Sequence, residues 1–328
     1  MIKKKIALTF DYELFLGSSS GTIENCILKP TDLILDLLTK HSAVATFFID
    51  ATFLLRLRKS ESKSSDFNAI VAQIGRILST GSRVELHIHP HWSNAIEAKH
   101  NWLFNDFSNY RLHSFNREEI ENIFEECITI LHEICRIFDS KYQIKIFRAG
   151  GFCLQEFEKL KSSFDLNKIY IDSSALPRMS YVSSHHYFNY KKLKNLDPYR
   201  FNSEPNVPCT NGKYIELPIS TFHESIFKAI IDKAFKKNKY YKNFGDGIGV
   251  PTKNLSIFKR FSLRYKYFTL DAAFDLSCKD RISNYKNSKV NILSHPKSMN
   301  EKSIESLELM LKEPNFDFVN LIDFAAEI

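Results

Sequence analysis

The sequence predicts a barrel-like α/β fold, on three observations. Short β-like runs alternate with helix-period segments through all 328 residues, and about seven runs qualify as strands, as βα units require. Acids, histidines and an arginine stand just past the ends of these runs, at Asp11, His87, Arg148, Asp172 and His295. Barrels and open parallel sheets place their chemistry there. Finally, no repeat or low-complexity linker divides the chain. A single domain over 1–328 is therefore expected, with residues 175–213 inserted over the active face.

The elements follow in order. Lys5–Phe10 is the first run and ends at Asp11-Tyr12-Glu13. Pro30–Lys40 reads as a helix with proline in its first turn, and Val44–Ile49 as a second buried strand. After a polar loop at Ser60–Asp66, Phe67–Leu78 is helical in period and stops at Gly81. Arg83–Ile88 is the third strand. Trp92–Asn116 is long, irregular and aromatic, the character of a binding loop, and Trp92 at its head is an expected substrate contact. Arg117–Phe138 is the clearest helix, its apolar residues Ile120, Phe124, Cys127, Ile128, Leu131, Ile134 and Cys135 recurring at three and four. Ile144–Phe147 runs into Arg148-Ala149-Gly150-Gly151, where glycine permits a sharp turn and close backbone approach. A Gln155–Ser162 helix and a Lys168–Ile171 strand follow.

Prolines 177, 198, 205 and 208 punctuate the 175–213 segment. Tyr214–Ile219 is another strand and Ser225–Lys237 a helix. Asn243–Thr252 holds Gly245, Gly247 and Gly249 but lacks the Lys-Ser/Thr and the strand–turn–helix context of a phosphate loop. Leu255–Arg264 is helical or irregular, Tyr267–Leu270 a strand and Asp271–Tyr285 a helix. Lys289–Leu293 is the last good strand and delivers Ser294-His295-Pro296. Lys302–Leu311 is helical, and Phe318–Phe324 closes the chain.

Composition narrows the function. The net charge of +7 is mostly lysine, much of it in 228–242 and 253–266, where a solvated helix face is the plainer reading. No nucleic-acid partner is expected from so modest an excess; the Lys-Tyr-Phe interleaving leaves a peripheral membrane contact open. The six cysteines form no CxxC pair, which suits a reducing compartment. The basic start meets Asp11 and Glu13 too soon for a signal sequence, and no run reaches the length of a membrane span. A cytoplasmic location is expected.

The centre of the chain is Glu85-Leu86-His87-Ile88-His89-Pro90-His91-Trp92. Histidines at alternate positions of a strand start on one face, and a shared cation or an acidic partner accounts for imidazoles so close together. By the same alternation Asp11 and Glu13 share a face and Tyr12 points away.

Thr9-Phe10-Asp11, Ala45-Thr46-Phe47-Phe48, His87-x-x-x-His91, Arg148-Ala149-Gly150-Gly151, Asp172-Ser173-Ser174 and Leu293-Ser294-His295-Pro296 fall in the order of the motifs of the polysaccharide deacetylase family, the NodB-homology or carbohydrate esterase family 4 group. The chain resembles a divergent member over roughly residues 5 to 300, closest to those of surface-polysaccharide and lipopolysaccharide biosynthesis. The resemblance implies a distorted, incomplete (β/α)7-type barrel and metal-assisted removal of acetyl groups from sugars. It makes Asp11 the catalytic base, Arg148 the residue that orients it and His295 the general acid. The metal, zinc by default, falls to His87 with His91 or His89, in that order, and to Glu13 or Asp11. Gly150 and Asp172 join Trp92 as expected substrate contacts, and a backbone N–H after Arg148 or near Tyr12 is the expected oxyanion donor. The substrate implied is a small-molecule or lipid-linked sugar.

Two departures from the family pattern stand out. Tyr12 occupies the place of the second aspartate, usually a metal ligand, and Ile88 follows the first histidine. They keep two alternatives open: a metal-independent amide or formyl hydrolase on this fold, and a non-catalytic carbohydrate-binding protein.

Overall fold

The computed structural model describes residues 3–99, 101–194, 197–224, 241–249, 265–272 and 277–328. The expected helix at Ser225–Lys237, the segment Leu255–Arg264 and most of the two basic stretches lie outside the described residues.

The chain has an α/β fold built on a curled, open sheet, the incomplete barrel expected. Among the described residues the sheet has nine strands. Its centre is β1 (Lys4–Tyr12), β2 (Thr46–Asp50) and β3 (Arg83–Ile88). Strands Ile146–Ala149, Ile171–Asp172, Tyr214–Glu216 and Tyr199–Phe201 continue outward from β3, while Lys289–Ser294 flanks β1 on its other side. Phe316–Phe318 pairs with the start of β1. All pairings are parallel except that of Tyr199–Phe201 with Tyr214–Glu216. The outer strand belongs to the 175–213 segment, so part of that excursion is built into the sheet. Another part is a hairpin of Ser180–Val182 and Tyr187–Asn189.

Alternation along the strands sorts the side chains into two layers. Ile6, Leu8, Phe10 and Tyr12 of β1 join Phe47, Ile49, Val84, Leu86 and Phe147 in the large core under the helices. Tyr12 is fully buried there and donates its hydroxyl to Gln73 Oε1 at 2.9 Å. The opposite face looks into the barrel. Ala7, Phe48, Ile146 and Leu217 form a small apolar plug there, completed by Leu321 and Phe324 of the last helical turns. Between the two sheet edges, Asn291 donates its side-chain amide to the Leu217 and Pro218 carbonyls and accepts from Ser220 N. Those bonds bridge the gap that the pairing leaves open.

Most elements fall near their expected places. The clear helix is Arg117–Phe138, closed at its start by a capping box of Asn116 and Glu119. Three expectations are corrected. Helix Ala51–Arg58 follows β2 directly; the sequence shows no loop to announce it. The expected loop at Ser60–Asp66 is already helical from Glu61. The strand placed at Tyr267–Leu270 lies at Tyr265–Tyr267, paired antiparallel with Thr221–His223.

Asp50 ties this architecture to the histidine segment. It caps helix Ala51–Arg58 by accepting from Phe53 N, takes the Thr52 hydroxyl at 2.6 Å, and accepts the Trp92 indole N–H at 2.6 Å. Asp50→Ala removes a cap and strands a buried indole N–H, so a loss of about 2–4 kcal/mol is expected in urea unfolding. In a Trp92→Phe background the same substitution should cost measurably less; equal costs in both backgrounds would show that the indole bond contributes nothing.

Candidate metal centre and active site

Parallel register brings the ends of the central strands to one place. Asp50 pairs with His87, and His87 with Arg148. Asp11 and Glu13, two apart at the end of β1, reach the same mouth, as do His87 and His89 of β3. Glu13, His87 and His89 are buried, and one donor atom from each lies within 4.8 Å of the others. His89 Nε2 is 2.5 Å and His87 Nε2 3.0 Å from Glu13 Oε2, and the two imidazole nitrogens are 2.9 Å apart.

This donor set fits a divalent cation. His87 Nδ1–H donates to the Arg148 carbonyl at 2.8 Å, which leaves the Nε2 lone pair for a ligand role. Burial opposes a charge on His87, yet the carboxylates of Asp11, Glu13 and Asp50 outweigh it and hold its pKa up at about 9. Burial likewise opposes the Glu13 charge, but Lys297 and His89 bring its pKa well below the carboxylate range. The point where the two Nε2 atoms meet Oε2 thus attracts positive charge, either a proton or a metal ion.

His91 is not part of the cluster. The chain enters a 3-10 turn at Pro90–Asn94, which breaks the strand alternation. The His91 ring lies parallel to Tyr110 at 5.3 Å and edge-on to His89 and Phe104. Both its nitrogens are buried without a partner, and burial with the neighbouring His89 lowers its pKa well below the ordinary value. Gly150 explains why His89 sits where it does. A Cβ on Gly150 would lie 2.5 Å from the Ile88 carbonyl and 2.7 Å from His89 Nδ1.

Beside the cluster lie two acid–base pairs. Arg148, fully buried, donates to Asp11 Oδ1 at 2.7 Å, to Thr9 Oγ1, and to the carbonyl and hydroxyl of Ser173. It stands 3.9 Å over the Phe48 ring. The other Asp11 oxygen faces His87 Nε2 at 3.9 Å and His295 Nε2 at 3.7 Å. The second pair joins His295, through Nδ1, to Asp271 Oδ2 at 2.7 Å, with the His295 backbone N–H on the other Asp271 oxygen. Burial opposes the His295 charge, but Asp271, Asp11 and Glu13 outweigh it and raise the pKa. The side chains of His295 and Asp271 are 16% and 17% exposed, against 6% or less for Asp11, Glu13, His87 and His89. This is the more exposed side of the site.

Several expected contacts sit elsewhere. Trp92 is core, packed between Phe53, Trp102 and Phe104. Asp172 is fully buried and accepts from Ser174 N and Oγ rather than facing a ligand. The N–H after Arg148, on Ala149, already donates to Ser174 Oγ. Sequence reasoning missed Asp271 and Lys297. Asp271 directly follows the run expected as the strand Tyr267–Leu270, the signal that could have found it, and Lys297 follows the His-Pro pair like any solvated lysine.

No family model matches the chain, and among curated proteins no relative is found. Solved structures do match. A protein assigned as a polysaccharide deacetylase from Mycobacterium smegmatis superposes with TM-score 0.52 at 12% identity, over 99% of this chain and 90% of that one. The peptidoglycan deacetylase PdaC of Bacillus subtilis matches at TM-score 0.38 and 13% identity, covering 99% and 93%. A CE4 family pseudoenzyme from Bacillus anthracis matches at 0.43 and 12%, covering 98% and 65%. The chain shares the fold of the polysaccharide deacetylases at low identity.

Asp172 and Glu216 form a buried acid pair behind Arg148. Burial raises both, Asp172 to about 6 and Glu216 well above its ordinary value, the latter also through repulsion from Asp172. The folded chain therefore binds protons that the unfolded chain has lost. The pair's contribution to stability is greatest near pH 4 and falls as pH rises through about 6. In urea unfolding from about pH 4 to pH 8, wild type should lose on the order of 2–3 kcal/mol relative to the Asp172→Asn/Glu216→Gln double variant. Parallel curves for the two proteins would contradict the raised acid pair.

Proposed function

We propose that the protein is a metal-dependent hydrolase that removes an acetyl or similar acyl group from an amino sugar, most naturally a soluble or lipid-linked precursor of a surface polysaccharide. The observation that carries this reading is the convergence of Glu13, His87 and His89 beside Asp11–Arg148 and His295–Asp271. A cation held by Glu13, His87 and His89 would supply Lewis-acid polarisation of the acyl oxygen and a more acidic water. Zinc suits two imidazoles and a carboxylate, although geometry and availability decide among divalent ions.

The chain's own groups do the proton work. Asp11 accepts a proton from the attacking water through the oxygen that faces His87 and His295. Arg148 holds the other oxygen and keeps the carboxylate aimed. His295 donates to the leaving nitrogen or oxygen, and Asp271 fixes its ring so that Nε2 points into the site. Tyr12 motivates the metal-independent alternative, but its side chain turns into the helix layer and Glu13 offers the carboxylate in its place.

Metal analysis of wild type and three alanine variants tests the centre. About one divalent ion per chain is expected in wild type, lost in His87→Ala and His89→Ala and kept in His91→Ala. Acetate release is then measured on N-acetylated amino sugars, free, nucleotide-linked and lipid-diphosphate-linked. Asp11→Asn should lower turnover by about 10²–10⁴-fold with metal content unchanged. Wild type that takes up no divalent ion would sink the metal mechanism. A loaded protein that binds these sugars without releasing acetate would leave the carbohydrate-binding alternative.

A further inference from the structure

Glu13 lies beyond β1, past the last strand residue Tyr12, so sheet pairing does not fix its carboxylate. Something else does. Lys297 is 7% exposed, and its Nζ donates to Glu13 Oε1 at 2.7 Å and to the Leu14 carbonyl at 2.6 Å. The same ammonium lies 5.1 Å from the centre of the Phe15 ring, within the range of a cation–π contact. One buried lysine thus engages three consecutive residues, 13 to 15. The two oxygens of Glu13 are divided: Oε1 goes to Lys297, and Oε2 faces His87 and His89.

The glycine-rich segment 245–249, which cradles no phosphate by its sequence, packs against this arrangement. Phe244 N donates to the Met299 carbonyl and Gly245 N to the Lys297 carbonyl. A Cβ on Gly245 would come within 2.5 Å of that carbonyl oxygen and 2.6 Å of the Phe15 ring, and one on Gly247 within 2.5 Å of the adjacent carbon on the same ring edge. Ile248 N anchors the far end on the Ser19 carbonyl. The glycines let a strap lie flat against Phe15 and the backbone of Lys297.

We propose that Lys297 is a positioning residue of the metal centre: it takes one oxygen of Glu13 and presents the other alone to the cation, and the 245–249 strap holds it in place. This rests on the metal reading above. A carboxylate tied in this way binds through one oxygen, which leaves a coordination position for water or substrate, as catalytic sites require. Partners that orient a ligand commonly govern metal affinity by about 10–100-fold.

The test is calorimetric titration of zinc chloride into metal-stripped full-length protein, with thermal melting as the check on folding. Lys297→Met should bind zinc about 10–100-fold more weakly. Lys297→Arg, which keeps a cation for Glu13, should recover part of the loss. Gly245→Ala should weaken binding in the same direction although it touches no ligand. A folded Lys297→Met that binds zinc as tightly as wild type, or more tightly, would overturn the assignment of Lys297 alone. Wild type that binds no zinc would overturn the metal reading beneath it. A zinc-loaded crystal structure of wild type needs no variant to fold. Zinc on Oε2 alone with Lys297 on Oε1 is expected, and chelation by both oxygens would refute the proposal.

Discussion

A guanidinium inside the barrel sets the terms for everything around it. Arg148 is fully buried, and a charge there is tolerated only if its donors are met. Thr9 and Asp11 of β1 meet them together with Ser173, just past the strand Ile171–Asp172. The apolar plug of Ala7, Phe48, Ile146 and Leu217 fills the barrel below, so the charge sits where packing gives way to chemistry. The same residue supplies its carbonyl to His87. One side chain and its own backbone thus orient both Asp11 and a candidate metal ligand.

Buried charge in this site comes in matched pairs. Asp11 faces Arg148, Glu13 faces Lys297, and His295 faces Asp271. Breaking any one pair strands a charge in a poorly solvated place, which costs more than the pair's own net worth. The pairs also keep the two carboxylates at the end of β1 from acting as a single repelling unit. Asp172 and Glu216 show the contrast: burial raises the pKa of both, and Arg148 offsets it only in part.

Much of this could be read from the sequence because strand alternation and parallel pairing are regular. Asp11, Arg148 and His295 stand at the ends of apolar runs, and parallel register had to gather them at one mouth. The orientation of Tyr12 followed from a period of two. The failures lie where regularity stops. Whether His89 or His91 joins the cluster depends on the turn at Pro90, which spacing does not encode. Asp271 and Lys297 come from segments whose placement only tertiary contacts decide. Gly150 suggested close approach to a ligand, but what it makes room for is a neighbouring imidazole. Asp172 sat at a strand end like the others, yet a two-residue strand turned it into the protein's interior.

The spacing of the donors has a consequence for assembly. Glu13 and His89 stand one residue past β1 and β3, so the register of those strands sets where each begins, beside Asp11 and His87. Slipping either strand by one residue would exchange its inward set for the outward one, Tyr12 in one case and Leu86 and Ile88 in the other. Such a sheet would present phenol and hydrocarbon in place of carboxylate and imidazole, not a weaker version of the same cluster. The cluster of buried donors is thus an all-or-nothing consequence of how two strands pair.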